Sequence, residues 1–416
     1  MLDFKERFYK DIFTLFSGTS SSQIITILFI PILARLYSVE DFGLLALFIA
    51  ITSTLGVISN GRYDMAIYLP KTENEAEEIS KTGLTINFIF SFLTFIVLFI
   101  FFEDIKLYFD IEQIEFFLIM IPLSAFFIGY SNVYNAFAIR LKSFKDVAKS
   151  HVIRSFSCSA IQAVMGYYFL GPLGLILGSV ISNLISSLFL IFVTRKNLDY
   201  KPSLTFNLSV LKRYKDFPKF SVPSIFANKL SINLVNGAIP LIYSLGTLGI
   251  YSMTQRFLSM PMTIIGSSIG QVLTESAARE VNENGTAQKT FNKSIFILSL
   301  IGIAIFFPLY FLSPFIFVIL LGEKWALSGT YGQILVPLFF FNFLGSALSP
   351  LMNILERQKL ALSWQVATFL YNALILIYSY IVGLDFTSYL KISTFVMSFH
   401  YIVLCFIIYL VSYRKI

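Results

Sequence analysis

The sequence predicts an all-α polytopic membrane protein with about twelve transmembrane helices in two six-helix bundles. The first indication is composition: of 416 residues, 56% are hydrophobic and only 13% are charged, whereas soluble domains carry roughly 25% charged residues. The second is that apolar runs of about 20 residues, long enough to cross a bilayer core, recur along the chain. The third is a basic, span-free segment near the middle, which divides the runs into two sets of six. Because the basic residues flank the runs, the net charge of +7 does not indicate a nucleic-acid partner.

Twelve spans follow from the apolar runs, taken in chain order. The first run follows three basic residues but lacks a cleavage site, so it is expected to be a retained helix rather than a signal peptide. The second begins after Ser38 and Asp41, which have the spacing of a capping box. The ninth is overlong and contains Pro308 and Pro314, which predicts a kink or an interfacial end. The expected spans are 12–34, 42–69, 83–102, 115–138, 148–170, 173–194, 217–244, 248–273, 291–320, 331–355, 360–383 and 386–412.

The distribution of Lys and Arg predicts the orientation of these spans. With the N-terminus inside, 24 basic residues lie in inner segments or at the inner ends of spans, 4 lie on the outer side, and the remaining 3 of the 31 lie well inside spans. Short cytoplasmic loops carry an excess of positive charge. Both termini are therefore expected to be cytoplasmic.

The basic segment 195–216 is expected to be a cytoplasmic linker between an N-terminal bundle, 1–194, and a C-terminal bundle, 217–416. A weak internal repeat supports this division: the Tyr-Ser pair at 37–38 recurs at 243–244, each followed by a glycine at nearly the same offset. Six spans in each half keep the halves in parallel orientation, related by an axis along the membrane normal. Transporters built in this way usually bind substrate between their halves.

Three basic residues, Arg62, Lys229 and Arg256, fall well inside the predicted spans, away from the basic residues at span ends. A charged side chain at the centre of a membrane helix costs about 3 kcal/mol on insertion scales, so it usually faces a partner, a cavity or a substrate. Asp64 is the clearest carboxylate within a span, and Arg62 competes for it. The cations therefore predict a membrane cavity that receives an anionic group, with an Arg62–Asp64 structural pair as the alternative.

Amide side chains accompany these cations at helical spacing. Lys229, Asn233 and Asn236 follow one another at intervals of four and three residues, which places them on one face of the seventh span. Arg256 lies on a similar polar stripe of the eighth span, and Gln23 on one of the first. Small polar groups also commonly hold membrane helices together, and this alternative is the stronger one for the Ser and Thr positions. Since Arg and Lys bind phosphate and amides bond to hydroxyl groups, the set suits a phosphate joined to a sugar.

Five segments then resemble a known family. In the first half they are 15–19, 31–43 and 62–70; in the second half they are 228–229 and 249–261. They resemble O-antigen and related polysaccharide repeat-unit flippases, the Wzx-type transporters of the multidrug/oligosaccharidyl-lipid/polysaccharide (MOP) exporter superfamily. Two positions depart from the family pattern: Asp64 stands where Glu is more usual, and Lys229 where Arg is often found.

The resemblance implies two bundles around a central cavity and transport by alternating access. The implied cargo is an undecaprenyl-diphosphate-linked oligosaccharide, moved from the cytoplasmic to the outer leaflet of the bacterial plasma (inner) membrane. A polysaccharide polymerase and a chain-length regulator are candidate partners, together with membrane lipid. The substrate-binding candidates are Arg62, Lys229, Arg256, Asn233, Asn236 and Gln23. If an ion gradient drives transport, Asp64 is the candidate coupling carboxylate.

Other functions fit the sequence less well. A lipid-linked glycosyltransferase or polymerase would need a larger outer domain than the short outer loops provide. A built-in ATPase is not expected, because the sequence has no phosphate-cradling glycine-rich loop. His151 and His400 are isolated, so neither a metal site nor a cofactor is expected. A cation-coupled drug exporter should carry carboxylates rather than bases in its cavity. A peptidoglycan-precursor flippase commonly has more than twelve spans. A transporter, not an enzyme, is therefore expected.

Overall fold

The computed structural model describes residues 2–108, 114–168, 170–197, 207–263, 267–355 and 357–413. All regular elements in these ranges are helical. The chain divides into two compact units, Met1–Asn233 and Leu234–Ile416, with the boundary inside one helix.

The first unit is built mainly from long apolar helices. Its helices are α1 Leu2–Leu36, α2 Val39–Ile58, α3 Tyr63–Ala66, α4 Glu73–Ile100, α5 Phe102–Tyr108, α6 Ile114–Arg140, α7 Phe144–Tyr167, α8 Pro172–Asn197, α9 Leu208–Arg213 and the first part of α10 Val222–Ile242. A π-helical turn, Phe217–Ser221, leads into α10. Helix α1 packs along α7, and α6 packs against α2, α4 and α8.

The second unit contains the rest of α10 and seven further helices. They are α11 Leu245–Leu258, α12 Ser267–Asn284, α13 Gln288–Leu321, α14 Ala326–Leu348, α15 Pro350–Ile354, α16 Gln358–Val382 and α17 Phe386–Ser412. Helix α14 packs against α11, α13 and α17.

Ten helices of the described ranges are long and apolar enough to cross a membrane. The fifth and eighth predicted spans correspond to α7 and α11, which are not among these ten. Helix α7 carries Lys145, Asp146, Lys149 and Arg154, and α11 has only 14 residues.

Three predicted spans differ from the helices observed. The second was expected to run through residue 69, but α2 ends at Ile58 because Gly61 and Arg62 adopt left-handed backbone angles, with φ of 62° and 63°. The eighth was expected at 248–273, but α11 ends at Leu258 and α12 runs on to Asn284. The ninth is a single 34-residue helix, α13, which continues through both of its prolines.

The starts of α2 and α11 explain the weak internal repeat. Ser38 and Asp41 form the predicted capping box at the start of α2. Ser244 caps α11 by accepting the N–H of Thr247 at 3.0 Å. The preceding tyrosine hydrogen-bonds within its own unit in each case: the Tyr37 hydroxyl donates to the carbonyl of Gln162 at 2.6 Å, and the Tyr243 hydroxyl bonds to that of Ser379.

The described part of the predicted linker 195–216 belongs to the first unit; its residues 198–206 lie outside the described residues. Arg213 forms an ion pair with Glu75 at the start of α4, at 2.6 Å. The Tyr214 hydroxyl donates to the same carboxylate at 3.0 Å. The end of this segment is thereby attached to α4.

A buried carboxylate caps α13 in the second unit. Glu280, near the end of α12, accepts the backbone N–H groups of Lys289 at 2.9 Å and Thr290 at 2.7 Å. Burial raises the pKa of Glu280, but the hydrogen bonds from Thr290 and Lys289 outweigh it, so the pKa lies below its ordinary value. The carboxylate satisfies N–H groups that have no partner within their own helix.

Candidate functional site

Arg62 ends the turn between α2 and α3, and Asp64 lies in the first turn of the short helix α3, so the two residues are not on one continuous helix as predicted. The Asn60 side chain accepts the backbone N–H of Arg62 at 2.9 Å and holds the turn. Arg62 Nη1 lies 3.6 Å from Asp64 Oδ2, with side chains that are 13% and 9% exposed. The structure therefore brings these two predicted site residues together as a largely buried ion pair.

This ion pair leaves several buried polar atoms without a hydrogen-bond partner. They are Arg62 Nε, Asp64 Oδ1 and Asn60 Nδ2. Burial raises the pKa of the Asp64 carboxyl, and the Arg62 guanidinium opposes that rise only in part. A carboxyl in this environment takes up a proton at a higher pH than an exposed aspartate, because its charged form has lost hydration.

Lys229 and Asn233 lie one turn apart on α10, as predicted. Asn233 donates its side-chain N–H to the hydroxyl oxygens of Thr54 at 3.1 Å and Ser53 at 3.4 Å, so it joins α10 to α2 within the first unit. Lys229 is half-buried. Among the ion pairs of the described residues, none joins Lys229 to a carboxylate. Asn233 therefore has a helix-joining contact, and Lys229 carries charge in an apolar helix.

The remaining predicted site residues are half-buried. Gln23 lies on α1 in the first unit, and Asn236 lies on the part of α10 that belongs to the second unit. Arg256 stands in the last turn of α11, where a cation also interacts favourably with the helix dipole. A structural contribution of Arg256 to α11 thus accompanies any contact with an anion.

Arg140, which sequence reasoning placed among the inner loop cations, organises the segment that follows α3. Its side chain is 11% exposed. Nη1 donates to the carbonyl of Ile67 at 2.9 Å, and Nη2 donates to the carbonyls of Pro70 at 2.9 Å and Thr72 at 3.3 Å. Nε donates to Glu73 at 3.2 Å. The guanidinium thereby fixes the chain that leads away from the Arg62–Asp64 turn.

Steric fit is tight where α6 crosses α2 and α4. A Cβ atom on Gly129 would overlap Ser59 Oγ and Asn87 Oδ1. The Asn87 side chain, fully buried, donates to the carbonyl of Phe126 at 2.9 Å. Ser59 is adjacent to Asn60, so this contact supports the turn that carries Arg62. Among the described residues, no group of three His, Cys, Asp or Glu side chains is placed to hold a metal ion.

Comparison with solved structures identifies the fold. The structure superposes on the lipid II flippase MurJ, in an inward closed conformation, with a TM-score of 0.72 at 15% identity, covering 95% of this chain and 86% of MurJ. A multidrug resistance MATE family transporter of the MOP superfamily, in an inward-facing conformation, gives a TM-score of 0.61 at 14% identity, covering 95% and 93%. The chain therefore has the fold of a MOP-superfamily transporter, and the predicted all-α polytopic membrane class is confirmed.

Sequence comparison defines the family within that class. The chain belongs to the polysaccharide biosynthesis protein family, whose profile matches residues 32–329. The succinoglycan biosynthesis transport protein ExoT of Rhizobium meliloti (strain 1021) is 22% identical over 316 residues, 74% of this chain and 61% of ExoT. The amylovoran biosynthesis protein AmsL of Erwinia amylovora is 20% identical over 316 residues, 75% of this chain and 80% of AmsL. The chain thus matches less than two thirds of the length of ExoT. The predicted resemblance to polysaccharide flippases of the MOP superfamily is confirmed.

Proposed function

We propose that this protein moves undecaprenyl-diphosphate-linked oligosaccharide repeat units, of O-antigen or a related surface polysaccharide, from the cytoplasmic to the outer leaflet of the bacterial inner membrane by alternating access. The observation that carries the proposal is family membership over residues 32–329. A succinoglycan biosynthesis transport protein and an amylovoran biosynthesis protein among its relatives support a saccharide cargo. The basic loop residues support an orientation with both termini in the cytoplasm, and the six predicted spans on each side of 195–216 support the division into 1–194 and 217–416.

Within this proposal, the cations bind the diphosphate and the amides bind the glycan. Lys229 is the main candidate, because it is a half-buried charge on an apolar helix with no ion pair among the described carboxylates. Arg256 is the second candidate. Arg62 is the third, because it would contact both the substrate and Asp64. Gln23, Asn233 and Asn236 would bond to sugar hydroxyls, with Asn233 having to exchange its contact with α2 for a contact with substrate. No cofactor is required for this work.

The test is to remove the Lys229 charge and then restore it. In a strain that lacks its own copy of the gene, Lys229→Gln is expected to abolish surface polysaccharide and to leave the lipid-linked repeat unit on the cytoplasmic leaflet. Lys229→Arg is expected to restore export, since either cation neutralises phosphate. The matched control is Lys219→Gln, which removes an exposed cation ten residues earlier. Full export by Lys229→Gln at normal membrane abundance would contradict the cation's role.

Asp64 is the proposed coupling carboxylate. Its burial and its unpartnered Oδ1 support proton or cation exchange at this position. Asp64→Asn is expected to stop export driven by an ion gradient, while Asp64→Glu retains it. Substitution of Arg62 by Gln separates the two roles, because a purely structural ion pair would make the Arg62 and Asp64 variants equally low in membrane abundance. Export that continues in Asp64→Asn would exclude Asp64 from coupling.

A further inference from the structure

His400, one of only two histidines in the chain, is enclosed by aromatic rings in the middle of α17. The residue is 5% exposed. Its ring stacks on Trp364 of α16, with centroids 3.3 Å apart and planes at 13°. The rings of Tyr371 and Tyr401 approach edge-on at 5.1 Å and 6.0 Å. The face of an indole ring attracts a cation, whereas burial favours the neutral imidazole.

The hydrogen bonds of Thr368 define which nitrogen of His400 is free to take a proton. The Thr368 hydroxyl donates its single hydrogen to the carbonyl of Trp364 at 2.9 Å. The same oxygen lies 2.8 Å from His400 Nε2. Since a hydroxyl has one hydrogen and two lone pairs, Nε2 must be the donor in this second bond. Neutral His400 is therefore protonated on Nε2 and keeps a lone pair on Nδ1.

The charged residues on the helices packed around α17 lie away from this ring. Helices α13, α14, α15 and α16 pack against α17, and α14 and α15 contain no Asp, Glu, Lys, Arg or His. The charged residues of the others are Lys289 and Lys293 in the first two turns of α13, Lys359 in the first turn of α16, and Lys391 with the capping Asp385 on α17. Lys391 is nine residues from His400, about 13 Å along the helix. Aromatic rings, rather than a carboxylate, therefore surround the imidazole.

We propose that His400 is a proton-binding site of the second unit. A proton from water forms an N–H bond at Nδ1, Nε2 keeps its bond to Thr368, and the positive charge is shared over an imidazolium held against the face of Trp364. Because Trp364 and Thr368 belong to α16 and His400 to α17, binding of the proton changes the interaction between these two helices. Use of this site in transport rests on the proposed function; binding of the proton does not.

Tryptophan fluorescence can report protonation of His400, because a protonated imidazole in contact with an indole quenches the emission of that indole. The chain has only two tryptophans, so a change at Trp364 is a large part of the signal. The purified full-length protein in nanodiscs is titrated from neutral to acidic pH. We expect a loss of emission with the shape of a one-proton transition. That transition should be absent from His400→Gln and from Trp364→Phe, and retained in His151→Gln, the matched control that removes the other histidine. A transition that persists in His400→Gln overturns the proposal.

A second measurement keeps the proposal testable if a variant fails to fold. Wild-type protein labelled only at the imidazole carbons should give two histidine NMR signals, one of which disappears in His151→Gln. The signal that remains belongs to His400 and should move with pH over the same range as the emission. A His400 signal that stays constant across this range overturns the proposal, whatever the protein is found to transport.

Discussion

Substitution of Arg140 by Lys tests how the chain around the Arg62–Asp64 turn is held. The guanidinium makes two 2.9 Å hydrogen bonds to carbonyls, one weaker bond to a third carbonyl and two bonds to the Glu73 carboxylate at 3.2 Å and 3.5 Å. A lysine ammonium is a single point and can keep one of the two short bonds. Since hydrogen bonds to charged groups contribute about 1.5–3 kcal/mol each, loss of the second short bond and the weaker one should lower the free energy of unfolding by about 3 kcal/mol.

Equilibrium unfolding in mixed detergent, together with membrane abundance, measures this loss. The control is Glu73→Gln, which removes only the ion pair and leaves all the carbonyl bonds. Because the Glu73 side chain is 52% exposed, its removal should cost no more than about 1 kcal/mol. Equal losses for Arg140→Lys and Glu73→Gln would refute the reasoning, because the carbonyl bonds would then contribute nothing beyond the ion pair.

Three further predictions follow from contacts described above. Gly129→Ala should destabilise the protein by about 1–3 kcal/mol through overpacking, whereas Gly237→Ala, where a Cβ meets nothing within 4 Å, should not reduce membrane abundance. Because the pKa of Glu280 is lowered in the folded protein, its carboxylate should contribute fully to the free energy of unfolding above the ordinary pKa of about 4.3. That contribution should be lost as pH falls through the lower pKa of the folded state, and thermal unfolding of Glu280→Gln should lack this acid dependence. Tyr37→Phe should cost about 1 kcal/mol in the same unfolding assay, and an unchanged free energy would show that the bond to Gln162 is not needed.

Hydropathy predicts the membrane helices well and fails where an apolar run bends. Residues 63–69 continue the apolar character of the second span, so hydropathy extends the span through a turn. Asn60 and Gly61 nevertheless form a dipeptide that marks turns, and Gly61 is one of the two residues here with a left-handed backbone angle. The end of α2 was therefore predictable from neighbouring residues. The cap formed by Ser38 and Asp41 was also predictable, because its two partners are only three residues apart in the sequence.

The roles of Arg140 and His400 depend on contacts that no local pattern contains. Arg140 bonds to groups 67 to 73 residues earlier in the chain, and His400 bonds to a hydroxyl 32 residues earlier. Both residues look isolated in the sequence because their partners are contributed by other helices or by a folded loop. Lys229 was predictable in part: its position on an apolar helix is visible in the sequence, whereas its lack of a described carboxylate partner required coordinates.

The matched starts of α2 and α11 differ in one contact. Both helices begin with a serine cap that follows a hydrogen-bonded tyrosine, yet only the first has an acidic residue at the third position, where the second has Thr247. In each helix the serine oxygen accepts an N–H group that has no partner within its own helix. The return bond is made only at the start of α2, where Asp41 accepts the backbone N–H of Ser38 at 2.8 Å. Helix α11 therefore begins without the carboxylate that completes the cap of α2.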